Sequence, residues 1–270
     1  MENLELLIDL HKSQNRQGPG SEKETHKALS LAMLDKTSQL KIADIGCGTG
    51  ASTIFLAKQL NARITAVDFL PEFIEVLKEA SNKNGLEKKI SPIVCNMETL
   101  PFSEEEYDVI WSEGAIYNIG FERGIKEWRH FLKPGGTLVV SELTWTTNNR
   151  PNEIEAYWRN EYPEITTASS KIKILEQNGY SLSAYFLLPE DCWIENYYRP
   201  LQNSFTTFIN RNNFSQKPKR FSGMKKLKLL FMKNTNLITA MECISQKRCK
   251  IHKLLLKPQP LTIWGFFIPL

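Results

Sequence analysis

The sequence predicts an α/β domain: a doubly wound, mostly parallel sheet with helices on both faces. Three observations lead there. Short continuous apolar runs alternate with amphipathic stretches, the first run ends in a glycine-rich turn, and the second ends in an acid. Strands covered on both faces read as unbroken apolar runs, and the helices between them return the chain for the next parallel strand. The 270 residues, 41% hydrophobic and 24% charged, suffice for one large domain or two small ones.

In order along the chain, residues 1–20 end in Gln17-Gly18-Pro19-Gly20, which breaks any helix begun by Leu4, Leu7 and Ile8. Ser21 with Glu24 three residues on has capping-box spacing, so a helix is expected through about Asp35. Strand and helix patterns then alternate: strand 41–45, helix 51–60, strand 63–67, helix 71–84, strand 90–95. A fourth strand is expected at 107–111, a helix at 122–132 and a fifth strand at 136–143. Tyr180–Leu188 supplies a sixth strand and 192–210 a helix.

Composition narrows the classes. Five cysteines without a C-x-x-C pair predict reduced thiols and no structural metal. No apolar run is long enough to span a membrane, and the first residues lack a signal peptide's basic start and apolar core, so a soluble cytoplasmic protein is expected. The charge is divided unevenly. Residues 1–210 hold 21 Lys and Arg against 29 Asp and Glu, a net of −8; residues 211–270 hold 13 against Glu242 alone, a net of +12.

The residues 42–50, Ile-Ala-Asp-Ile-Gly-Cys-Gly-Thr-Gly, are the most informative. Gly46, Gly48 and Gly50 let the chain turn tightly between strand and helix and leave room for a ligand against the backbone. Asp68, ending the second strand, is placed where a carboxylate accepts both hydroxyls of a ribose. Gly46, Gly48 and Ala51 also satisfy the dinucleotide pattern, so an NAD(P)-dependent oxidoreductase is the alternative. Asp44, two residues before the first glycine, argues against a pyrophosphate there and suits a cationic amino-acid tail.

Taken together these motifs resemble the class I S-adenosylmethionine-dependent methyltransferases, over about residues 18–200. The resemblance implies their Rossmann-like fold, S-adenosylmethionine as cofactor, S-adenosylhomocysteine as product and a small organic acceptor. It implies that Gly46, Gly48 and Gly50 lie against the methionine portion, that Asp44 organises its amino group, and that Asp68 holds the ribose with Phe69 beside the adenine. Asn96 and Met97 match the segment meeting the adenine; Ser112 and Glu113 fall in the fourth-strand motif, facing the transferable methyl. Residues 1–20, with Gln14, Asn15, Arg16 and Gly18, would close over the cofactor as a lid. The segments 18–21, 111–124 and 188–193 look like a Bacteroidetes group standing near the ubiquinone/menaquinone C-methyltransferases in sequence, which does not establish a quinone substrate. A protein that binds the cofactor but has lost catalysis is a further alternative.

For chemistry, Glu113 is a candidate general base that equally suits binding the cofactor's amino group, and Tyr117 orients an acceptor or packs under the cofactor. His130 falls on the far side of its helix from the crevice. The dense aromatics Trp145, Tyr157, Trp158, Tyr162, Trp193, Tyr197 and Tyr198 either roof an acceptor pocket or cover the sheet edge and mediate homodimer contacts. The family's acidic helix and aromatic last strand are not found in residues 211–270. Read in another frame, Phe231 to Ser245 give a tyrosine-rich ending like the close group's own, and glutamate codons shifted by one base become lysine codons. The expectation is therefore a frameshift near 213–220, with a poorly ordered tail and a final strand missing or altered. A genuine basic tail would instead suit nucleic acid or an anionic membrane; no nucleic-acid partner is expected.

Overall fold

A computed structural model of the chain describes residues 2–212 and 239–248. Its centre is β1 (Leu40–Ile45), paired in parallel with β2 (Ala62–Asp68) on one side and β4 (Tyr107–Glu113) on the other. β3 (Ile90–Val94) extends the sheet beyond β2, and β5 (Leu132–Trp145) extends it beyond β4, both in parallel. The order β3-β2-β1-β4-β5 reverses direction between β1 and β4. A crevice opens at the carboxyl ends of strands at such a switch point, and the loops there carry the site.

Each face of the sheet has its own core. On one side Ile42, Ile64 and Val109 pack under α2 (Glu22–Leu31), α3 (Ala51–Gln59) and α4 (Pro71–Lys83) through Leu29, Leu56 and Leu77. On the other, Ala43, Ile45, Ile110 and Leu138 pack under α5 (Phe121–Trp128) and α7 (Ala168–Gln177) through Ile125, Trp128 and Leu175. Adjacent β1 residues fall in opposite clusters, as the strand period of two requires. Ser21 caps α2 by accepting from the Glu24 N–H at 3.1 Å. The helix stops at Leu31, short of Asp35, because Met33 adopts a left-handed φ of 46°.

β5 is longer than the expected 136–143. Its pairing shifts register between Tyr107–Leu132 and Val109–Thr137, so the Lys133-Pro134-Gly135-Gly136 turn is absorbed as an irregularity within one strand. At its far end Thr144 and Trp145 pair with the two-residue β6 (Thr166–Thr167), which follows α6 (Asn152–Glu161). β7 (Tyr180–Leu187) agrees with the expected sixth strand.

Of the expectation that the final strand is missing or altered, the first part is corrected here: the strand is present. Thr239–Arg248 forms β8, inserted between β5 and β7 and antiparallel to both. Without it β5 from Thr137 to Trp145 and the inner edge of β7 would leave rows of backbone donors and acceptors unpaired, and pairing them asks for an extended backbone rather than one particular sequence. The β-branched Thr239 and Ile244 favour a strand in that segment despite the basic residues around it. The remainder of the tail, residues 213–238 and 249–270, lies outside the described residues, and so does the frameshift expectation for it.

The C-terminal cover runs through α8 (Glu190–Trp193), a π-helical turn (Ile194–Tyr198) and α9 (Arg199–Arg211) as consecutive helical segments. The N-terminal α1 (Glu2–His11) docks on it: Leu10 packs with Leu201, Phe205 and Phe208, and Arg211 donates to Asp9 Oδ2 at 2.8 Å. The N-terminal helix and the helical segment ending at Arg211 therefore pack on each other, with Leu4, Leu7, His11 and Tyr197 of these segments lining the crevice. Among the described residues no helix is long and apolar enough to cross a membrane.

If β8 closes the sheet, a chain ending at Asn212 should lose its cooperative thermal unfolding and elute as aggregate, because β5 and β7 are left with open edges. Circular dichroism melting and size-exclusion chromatography beside the full chain test this. An unchanged melt would mean that β8 contributes nothing.

Candidate functional site

The glycine turn after β1 builds the floor of the site. Gly46 and Gly48 adopt φ of 75° and 56°, which residues with a Cβ rarely adopt, and a Cβ on either would collide with a neighbour, Ala115 and the Gln17 carboxamide respectively. Beside them lies a cavity of about 560 Å³ lined by that loop, the ends of β2, β3 and β4, and the N-terminal segment. Its size is that of a small-molecule or cofactor site.

The expected residues separate into three groups. Gly18, Gly46, Gly48, Asp68, Phe69, Asn96, Met97, Glu113 and Tyr117 line the cavity. Asp44 and Ser112 do not; both are fully buried in the wall behind it. Gly50 is not among the lining residues either: it caps α3 in a left-handed conformation, and a Cβ there would strike Leu77 of α4, so its glycine allows close helix packing. His130 sits in the turn after α5, exposed and away from the cavity.

Asp44 is the least ordinary group in the site. Its Oδ2 accepts from Thr53 Oγ1 at 2.6 Å and Ser52 Oγ at 2.9 Å, both in the first turn of α3, while Oδ1 has no hydrogen-bond partner. Burial pushes its pKa up to about 7, against the lowering effect of the two hydroxyls, and the nearby Glu113 and Asp68 charges add to the rise. A buried acceptor without a donor is costly, and a cationic ligand or a bound water at the loop would relieve it. Asp68 is half-buried; its carboxylate accepts from the Gly48 N–H at 2.8 Å and the Leu70 N–H at 3.0 Å. Burial raises its pKa, with these backbone hydrogen bonds opposing. Each oxygen keeps a lone pair for a further donor.

Glu113, the candidate base, lines the cavity with both carboxylate oxygens engaged. Oε2 accepts from Arg16 at 2.8 Å and from Thr25 Oγ1 at 3.2 Å, and Oε1 accepts from Trp111 Nε1 at 3.0 Å. The pair with Arg16 is partly buried, with side-chain exposures of 15% and 13%. Next to Arg16, Gln17 clasps the glycine turn: Oε1 accepts from the Thr49 N–H and Nε2 donates to Thr49 Oγ1, each at 3.0 Å. The N-terminal segment is thus fastened to the crevice at two points.

Behind Tyr117 lies a second buried polar group. Lys171, 1% exposed, donates to Tyr162 Oη at 2.8 Å, stands 4.0 Å from Glu142 and lies 4.4 Å from the centroid of the Phe121 ring. Burial raises the Glu142 pKa to about 7 against the Lys171 charge and lowers that of Lys171. Glu164 accepts from the Phe121 N–H at 2.9 Å, and the Tyr117 ring meets Tyr162 edge-on at 6.0 Å. These contacts tie the loop after β4, which lines the cavity, to the segment after β5. Most of the aromatic residues beyond β5 join this cover: Trp145, Tyr162, Trp193 and Tyr198 are core, with Trp158 packed on them, and of the aromatics singled out there only Tyr197 lines the cavity.

Sequence reasoning missed Leu4, Leu7, His11, Gln17 and Ile119 as lining residues. The signal for the first three was available, since spacings of three and four place Leu4, Leu7 and His11 on one face of a helix. Among the described residues no group of three or more His, Cys, Asp or Glu side chains could hold a metal ion.

Residues 42–136 match the methyltransferase domain family. The chain has the class I methyltransferase fold. It is 14% identical to a SAM-dependent methyltransferase from Geobacter sulfurreducens solved with S-adenosyl-L-homocysteine, with a TM-score of 0.79 over 90% of this chain and 97% of that one. It is 27% identical over 182 residues to the ubiquinone/menaquinone biosynthesis C-methyltransferase UbiE of Bartonella tribocorum, covering 66% of this chain and 65% of that protein. The [4+2]-cyclase SpnF is also similar, with a TM-score of 0.69 at 15% identity over 84% of this chain and 80% of that one. The chain spans less than two thirds of the length of the curated relatives it matches. Because one fold here accommodates differently named activities, the residues of the site have to carry the functional argument.

Asp44 makes stability depend on pH in a defined direction. The unfolded chain releases this proton near the ordinary 3.8, whereas the folded chain holds it to about 7, so stability falls as pH rises through that window and stays lower above it. Asp44→Asn should therefore raise Tm by more at pH 8 than at pH 5, at ~2–4 °C per kcal/mol for a domain of this size. Scanning calorimetry at both pH values measures it. Equal gains would mean that the carboxyl is not held protonated.

Proposed function

We propose that the chain is an S-adenosylmethionine-dependent methyltransferase acting on a small organic acceptor. The observation that carries the proposal is Asp44: a buried carboxylate at the first turn of α3, under a glycine loop, with one oxygen unpartnered. A helix N-terminus ordinarily attracts anions. A carboxylate already placed there repels a pyrophosphate and attracts an ammonium, directly or through one water. That favours an amino-acid-bearing cofactor over NAD(P).

The remaining lining fits the same cofactor. Asp68 offers two carboxylate oxygens to the ribose hydroxyls, Phe69 at 59% exposure offers a ring to the adenine, and Asn96 with Met97 lies at the end of β3 beside it. When bound, S-adenosylmethionine supplies a methyl group activated by its sulfonium. The protein's part is then to align the acceptor with that methyl and to keep water out. Arg16 and Gln17 hold the N-terminal segment closed, Glu113 anchors Arg16, and Tyr117 presents its ring and hydroxyl to the cavity. This reading requires no nucleic acid and no second protein chain.

Two measurements test it. In titration calorimetry S-adenosylmethionine and S-adenosylhomocysteine should bind and NADH should not, and Asp68→Ala should weaken both by at least ~10-fold, the worth of one charge-assisted hydrogen bond. NADH binding in place of the sulfur ligands would replace the proposal by the oxidoreductase. In stopped-flow displacement, Gln17→Ala and Arg16→Ala should each release S-adenosylhomocysteine several-fold faster, the second also leaving Glu113 partly buried and unpaired. Unchanged release rates would remove the lid function.

A further inference from the structure

The cavity wall has two parts of different chemistry. The glycine loop, Asp68, Phe69, Asn96 and Met97 belong to the cofactor reading above. Away from these, and beyond the Arg16–Glu113 pair, the wall includes Leu4, Leu7 and His11 of α1, Tyr117, Asn118 and Ile119 of the loop after β4, and Tyr197 of the π-helical turn. This second part is mostly hydrocarbon and aromatic rings, with one imidazole and the Asn118 carboxamide, whose Nδ2 donates to the Ala115 carbonyl at 2.9 Å; His11 is stacked on Tyr197 at 6.0 Å between centroids and 27° between planes.

Charge decides what such a wall accepts. Among the described lining residues Arg16 alone is a Lys or Arg, and its guanidinium is already engaged by Glu113 at 2.8 Å and Thr25 at 2.9 Å. Asp68 lines the same cavity and Asp44 lies behind it, while the lining residues Glu98 and Glu113 are answered by Arg123 at 2.7 Å and Arg16 at 2.8 Å. A phosphate or carboxylate on an acceptor would lose its water without gaining an unengaged Lys or Arg, with the Asp68 carboxylate in the same cavity. A cationic acceptor meets a different obstacle, because the carboxylates stand in the cofactor part and would already face the cofactor's own positive charges. Burial keeps the Tyr197 phenol protonated, so it is a neutral hydrogen-bonding group beside apolar walls.

We infer that the acceptor is an uncharged, largely apolar ring-bearing molecule with a hydroxyl, taken up between α1, the loop after β4 and Tyr197. The inference rests on the methyltransferase reading and adds the substrate class to it. Leu4 and Leu7 supply the apolar surface, the rings of Tyr117 and Tyr197 the flat faces, and their hydroxyls with His11 the partners for a single polar group.

Three probes with one ring system and different charges test it on the full chain saturated with S-adenosylhomocysteine at pH 8, above the ordinary histidine range. These are 1-naphthol, 1-naphthyl phosphate and 1-naphthylmethylamine, with affinities read by calorimetry. Naphthol should bind at least ~10-fold more tightly than either charged probe, since each of those buries an unpaired or repelled charge. Leu7→Lys supplies the absent cation and should reverse the order of naphthol and naphthyl phosphate while S-adenosylhomocysteine still binds. Equal or tighter binding of a charged probe, or no binding of naphthol, overturns the inference. So does a Leu7→Lys protein that binds S-adenosylhomocysteine without the reversal. Failure of S-adenosylhomocysteine to bind the parent chain would instead reject the methyltransferase reading, and the inference with it.

Discussion

A carboxylate buried at the start of a helix is the constraint around which this site is arranged. Asp44 comes from the central strand, at the point where strand order reverses, and its partners Ser52 and Thr53 come from the helix that strand feeds. Helix α3 therefore begins where β1 ends, and the intervening turn must be tight enough to need left-handed glycines. The same turn is read from the other side by Gln17, whose carboxamide sits where a Gly48 side chain would be. The floor of the cavity and the N-terminal segment consequently share one piece of backbone, and a change in either disturbs both.

The lid is held by polar contacts at its inner end and by apolar packing at its outer end. Arg16 and Gln17 engage Glu113 and Thr49, whereas Leu10 packs with α9. Polar contacts facing a cavity can exchange with water when the segment lifts, while the apolar contact of α1 with α9 costs more to break. The apolar end of this unit also faces the cavity, since Leu4, Leu7 and His11 belong to α1 and Tyr197 immediately precedes the segment on which α1 docks.

The parallel half of the fold was legible in the sequence because its signals are local. The runs at 41–45, 63–67 and 107–111 are mostly apolar, and the acid ending β2 and the glycines ending β1 stand next to the elements they terminate. Less legible was anything decided by contacts between distant segments. Gly50 reads like the other loop glycines until α4 is seen against it. Glu113 reads like a base at the end of a strand until Arg16, 97 residues away, is found on it. β8 has a basic, unfamiliar sequence, and only the two strand edges that it joins give it a place. The seven aromatics after β5 looked alike in composition, yet one lines the cavity and the others face elsewhere, a difference that spacing alone does not encode.

Two acids, Asp44 and Glu142, are both held by burial near neutrality, and they lie on opposite flanks of the loop after β4. Their surroundings differ in a way that separates their roles. Neither lines the cavity and each has one oxygen without a hydrogen-bond partner, but Glu142 has Lys171 at 4.0 Å, so its charge is answered by a neighbouring cation. Asp44 has two hydroxyls on its other oxygen and lies by the glycine loop, with the Glu113 and Asp68 charges adding to its pKa rise. A group whose ionisation is disfavoured by burial and favoured by a nearby cation would couple cation binding to proton release. Under the proposed function that coupling would favour a cationic cofactor tail over a phosphate.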